Sequence, residues 1–167
     1  MPTLVFWVAF GWALASGPDS GQRSHCTEAE RFLVATGLAA RTDPDTLDDW
    51  RTAKRHPACR VTAAGLTTLS LADEAQRFYD RVRQDGWTRT PDPRDAPRES
   101  SLRFRKAGSD CLFNVYEGAL LLTEAEREVS SARAPSAGER RYNIFVVCLP
   151  AMPAAVRSAP RTAMAGL

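Results

Sequence analysis

Two histidines and four cysteines are the residues of this chain best placed to do chemistry, and each histidine stands near a cysteine. His25 precedes Cys26, and His56 and Cys59 are separated by Pro57 and Ala58, a metal-like spacing. Two imidazoles and two thiolates would satisfy the tetrahedral preference of zinc. Adjacent residues such as His25 and Cys26 chelate poorly, however, and an oxidised cysteine pair has no thiolate to offer. The chain carries no Cys-x-x-Cys-His for haem, no thioredoxin-type Cys-x-x-Cys, no Gly-x-Ser-x-Gly elbow and no glycine-rich phosphate loop. The neighbouring acids Asp48/Asp49 and Asp73/Glu74 point different ways on a helix, so they do not make a carboxylate pair. The expectation is no catalytic residue, no metal and no cofactor. An envelope hydrolase or metalloprotein using His25, Cys26, His56 and Cys59 stands as the alternative.

The second constellation is cationic. Arg89, Arg103, Arg105 and Lys106, with Arg94 and Arg98 nearby in sequence, could form a patch for an acidic protein or an anionic envelope polymer. The same charges would also suit a solvated sheet edge that discourages strand-to-strand aggregation.

The elements that must position these residues centre on positions 70–117. Ser70 is a helix cap, Asp73 and Glu74 suit the positive end of the helix dipole, and Arg81 and Arg83 suit its other end. Leu71, Ala75, Phe78, Tyr79 and Val82 make one apolar face, and Gly86 ends the helix. Trp87 opens a strand over residues 87–90. Residues 91–100, with three prolines, read as a loop. Residues 101–106 alternate, with Leu102 and Phe104 facing one way and Arg103 and Arg105 the other. A hairpin turn over 107–110 leads to an inner strand over 111–117.

This stretch resembles a recurrent small α+β domain of uncharacterised secreted bacterial proteins and lipoproteins. The residues in the matching places are Phe78 and Tyr79 on the helix, the Gly86-Trp87 stop, Phe104 and Lys106 on the next strand, and Val115. The resemblance covers about a third of the chain. It implies a fold and a compartment outside the cytoplasm, and no reaction.

Before this stretch, Thr27–Glu30 read as a capping box opening a helix to about residue 40. Residues 45–55 read as one or two helical turns, with Leu47 and Trp50 inward and Asp48, Asp49, Arg51 and Lys54 outward. Residues 59–63 read as a short strand. After it, residues 119–122 could extend the sheet, and Thr123–Arg127 repeats the sequence of Thr27–Arg31. Residues 132–140 read as a loop and 142–148 as a strand rich in β-branched and aromatic residues. The fold class expected is α+β, an antiparallel sheet of four or five strands with helices on one face, stapled by disulfides.

Four cysteines allow three pairings. If residues 111–117 run antiparallel to 142–148, Cys111 lies opposite Cys148, Phe113 opposite Val146 and Val115 opposite Ile144. That register joins Cys111 to Cys148 and leaves Cys26 for Cys59, each bond contributing roughly 2–4 kcal/mol.

The chain has 167 residues, 44% of them hydrophobic, and a formal net charge of +2. The balance is too even for a nucleic-acid partner. Residues 1–15 carry no charge, include an apolar run too short to span a bilayer, and end in Ala13-Leu14-Ala15, a cleavage pattern, with Ala15-Ser16-Gly17 a second option. The organisation expected is a signal peptide at 1–15, a flexible leader at 16–25, one domain at 26–149 and a disordered Ala/Pro-rich tail at 150–167. The protein would be secreted or periplasmic, without a stable membrane span after cleavage. Its expected role is non-catalytic, either binding or structural in the envelope; no partner and no oligomeric state is legible.

Overall fold

The structure is a computed structural model that describes residues 23–91, 101–118 and 122–152. The expected signal peptide, most of the leader, nearly all of the loop at 91–100, residues 119–121 and nearly all of the tail lie outside those residues.

Six strands form one antiparallel sheet: β1 (Ala39–Asp48), β2 (Arg55–Thr67), β3 (Thr88–Arg89), β4 (Ser101–Lys106), β5 (Ser109–Glu117) and β6 (Arg140–Pro150), in the order β1-β2-β6-β5-β4-β3. The helices are α1 (Thr27–Ala35), α2 (Leu71–Gln84) and α3 (Glu124–Ser131), with a 3-10 turn at Ser24–Cys26. The class is α+β as expected, with one or two more strands than anticipated.

α2 forms for the anticipated reasons. The Ser70 side chain accepts from the Asp73 N–H, and Gly86 takes a φ of 85° after the last turn. Ala75, Phe78, Tyr79 and Val82 are buried on one face of the sheet. There Phe78 meets Phe32 of α1 and Phe113 of β5, and the Tyr79 hydroxyl donates to the Phe113 carbonyl at 3.0 Å. Trp87 and Phe104 meet the Phe113 ring edge to face, at 5.1 and 5.7 Å. Such pairs add about 0.5–1.5 kcal/mol beyond burial.

The β5–β6 register is the one deduced from the sequence: Cys111 opposite Cys148, Phe113 opposite Val146, Val115 opposite Ile144. Disulfides join Cys111 to Cys148 and Cys26 to Cys59. All four cysteines are fully buried.

Five expectations are corrected. α1 stops at Ala35, because Gly37 (φ 84°) turns the chain and residues 39–40 already begin β1. Its start is not a side-chain capping box: the chain is already helical at Cys26, and no side chain caps it. The identical Thr-Glu-Ala-Glu-Arg at Thr123 does cap, its hydroxyl accepting from the Glu126 N–H at 3.1 Å. Residues 45–48 belong to β1 rather than to a helix, with Pro44 tolerated because β1 is an edge strand. The strand expected at 59–63 is the middle of the longer β2, paired along its length with β1. Finally, α3 packs on the sheet face opposite α1 and α2. Its Glu126 and Ser130 bond Tyr116 and Asn143, which alternate with the core residues of β5 and β6.

The β4–β5 hairpin turns on Ala107 and Gly108, both with positive φ (48° and 78°). Such a two-residue turn favours asparagine or glycine at its first position. Ala107→Asn should therefore stabilise the domain by about 1 kcal/mol. The check is a urea midpoint that rises with unchanged slope.

Candidate functional site

The histidine–cysteine cluster of the alternative reading does not assemble as a metal centre. Cys26 and Cys59 are bonded to each other, so their thiolates are consumed. His56 and Cys59 are three apart on β2, an odd separation that sends their side chains to opposite faces. Among the described residues no group of three or more His, Cys, Asp or Glu is arranged to hold a metal ion.

The cations at Arg89, Arg103, Arg105 and Lys106 do not form one surface. Alternation along β4 sends Arg103 and Arg105 to one face and Lys106 to the other. Arg105 makes two hydrogen bonds to Asp110, and Lys106 pairs with Asp85 at 2.6 Å over the Trp87 ring. Arg89 lies over Phe104 and donates to the Arg103 carbonyl. Arg103 is buried, its guanidinium 5.5 Å from the centroid of Trp50. These charges are spent within the fold.

Arg51 flanks the Trp50 ring at the same 5.5 Å distance. It also bonds Asp49, Asp110 and the Pro150 carbonyl, clasping the β1–β2 turn to the start of β5 and the end of β6. Asp49 and Arg51, expected on the surface, are pulled inward by this clasp, and Asp49 is only 2% exposed. The Arg51 hydrogen bonds hold the Asp49 carboxyl at about 2, below its ordinary 3.8, against the opposing effect of burial. Asp110 is also lowered: burial pushes it up, and the bonds from Arg105 and Arg51 more than offset that. For a depressed carboxyl the stabilisation is complete above the ordinary value and disappears as the pH falls towards the folded one. Asp49 should thus contribute about 2 kcal/mol above pH 4 and lose it towards pH 2. Unfolding curves at pH 7, 4, 3 and 2 check this; Asp49→Asn should flatten the acid limb.

The remaining arginines gather elsewhere. At the end of the sheet where β1 begins, β2 ends and β6 begins lies a cavity of about 350 Å³. Arg77 and Arg81 of α2, Arg133 just after α3, and Arg141 of β6 line it. Leu38, Ala39, Ala64 and Val129 give it an apolar wall.

Glu74 fixes the inner half. It is fully buried, although it stands in the first turn of α2. Thr67 donates to it at 2.8 Å, Arg81 at 3.1 Å, and Arg77 makes a third bond. Tyr142, buried beside this group, has its hydroxyl pKa raised, first by burial and then by the Glu74 charge. It is therefore protonated at neutral pH.

Gly65 makes this packing feasible. A Cβ there would lie 2.5 Å from Leu38 Cδ2 and 2.7 Å from the Tyr142 ring and hydroxyl. Only a residue without a side chain lets the Tyr142 ring lie across β2.

Glu74, Arg77 and Arg81 follow one another at spacings of three and four on α2, a stripe that could have flagged the site. Arg133 and Arg141 carry no such signal, since they join the cavity only through the fold.

Comparison with family models, curated proteins and solved structures finds no significant match to this chain. The titratable groups lining the cavity are guanidiniums and the Tyr142 phenol, and a guanidinium is neither a base nor a nucleophile at neutral pH. Guanidiniums so placed can hold an anion through paired N–H groups.

Proposed function

We propose that this chain is an exported, non-catalytic binding domain that works through the arginine-lined cavity. The observation that carries the reading is the set of four guanidiniums around one concave space, two of them held in place by the buried Glu74. Preformed donors of this kind recognise carboxylates and phosphates with little ordering cost on binding.

Export is supported by the uncharged segment at 1–15 and by the two disulfides, which persist in oxidising compartments and are rare in the cytosol. Among the described residues no helix is long and apolar enough to cross a membrane. The resemblance of the stretch from α2 to β5 to secreted bacterial domains points the same way.

The test is to express the full chain in a bacterial host, fractionate the cells and take intact masses with and without reduction. The expected product lies outside the cytoplasm and is shortened by the signal peptide. It should gain about four mass units when two disulfides are reduced. A full-length cytoplasmic product with free thiols would overturn the reading. In-cell crosslinking of the exported chain supplies the binding arm. A crosslinked partner should be lost when Arg133→Glu and Arg141→Glu are combined.

A further inference from the structure

We propose that the cavity takes a small organic anion, a carboxylate or phosphate head group on a short apolar body. This rests on the reading of the chain as a binding domain and names the class of ligand.

The charge count carries the head group. Among the described residues the four lining guanidiniums face one carboxylate, Glu74, which is fully buried and already engaged by Arg77 and Arg81. Arg141 donates to the Arg133 backbone carbonyl, a neutral acceptor, and so holds the two outer cations together. The cavity therefore keeps a surplus of positive charge. A planar guanidinium meets the two oxygens of a carboxylate or phosphate with paired N–H groups.

The apolar part of the lining carries the body. Leu38, Ala39, Ala64 and Val129 supply apolar side chains to the lining beside the arginines. A bare inorganic ion would leave those side chains wet. The size sets the limit: about 350 Å³ lies at the lower end of the range for small-molecule sites, roughly 300–1,000 Å³. An extended polymer would not fit inside.

The test uses the exported, oxidised chain. Hexanoate and butyl phosphate are titrated by calorimetry at low salt, beside hexan-1-ol and inorganic phosphate. The expected result is saturable one-to-one binding of at least one amphiphilic anion. Hexanol and inorganic phosphate should bind at least tenfold more weakly, and added salt should weaken the anion. The better of the two anions tells carboxylate from phosphate sources. Arg133→Gln combined with Arg141→Gln should weaken binding at least tenfold with an unchanged urea midpoint.

Amide NMR of the wild-type chain gives a second readout that needs no variant, since Leu38, Gly65 and Tyr142 should shift on titration. No saturable binding of either anion, equal binding of hexanol, or full affinity in the double variant would each overturn the proposal. If neither anion binds while the exported chain still crosslinks a partner, the ligand assignment falls and the binding-domain reading stands. If the chain is cytoplasmic and reduced yet binds hexanoate, the compartment falls and the cavity assignment stands.

Discussion

Reduction of both disulfides should unfold the domain under conditions where the oxidised form is stable. The bonds span 33 and 37 residues, and loops of that size correspond to about 3–4 kcal/mol each by chain entropy. Together they amount to ~6–8 kcal/mol, comparable with the whole stability of an ordinary domain at about 5–15 kcal/mol. They also act at different places. Cys26–Cys59 ties the 3-10 turn before α1 to β2, while Cys111–Cys148 ties β5 to β6. Urea unfolding with and without a phosphine reductant measures the effect. A reduced chain that keeps its cooperative transition within about 2 kcal/mol of the oxidised one would contradict it.

Glu74→Ala should destabilise the domain by about 3 kcal/mol, the lower part of the range for breaking a buried ion pair. The lower part is appropriate because Arg77 and Arg81 keep side-chain exposures of 52% and 30% and can turn to water. Thr67 has no such freedom: it is buried, and its hydroxyl would lose its acceptor. Glu74→Gln keeps the shape and one carbonyl acceptor, so its cost should fall to about half of that. Chemical unfolding of the two variants beside the wild type gives the comparison. Equal stability of Glu74→Ala and wild type would mean that the buried carboxylate contributes nothing net.

Local order in this protein was legible wherever a pattern repeated within one element. The face, cap and stop of α2 are all local, and so are the alternating residues of β4. The pairing of Cys111 with Cys148 followed from a register that two apolar strands impose on each other. β1 was hidden because Ala39–Asp48 lacks alternation and contains Pro44 with four charged side chains. Its strand state comes from pairing with β2, a tertiary cause that overrides local preference. The cations of β4 looked like a surface because sequence shows their charge and not Asp110, Asp85 or Trp50 across from them. The cavity was the least legible feature, as its arginines come from three elements separated by up to 64 positions, Arg77 to Arg141.

Cys59, Cys148 and Cys111 stand side by side in one row across three adjacent strands. Cys148 therefore has a sulfur neighbour on each side during oxidative folding. If β2 and β6 align before the 3-10 turn docks, Cys59 and Cys148 are poised to oxidise together. That trapped isomer strands Cys26 and Cys111 as free thiols, and thiolate attack on the wrong bond is its only way back. Docking the turn onto β2 first, or pairing β5 with β6 first, gives a single-pass oxidation; β2 against β6 first makes oxidation wait on thiol–disulfide exchange.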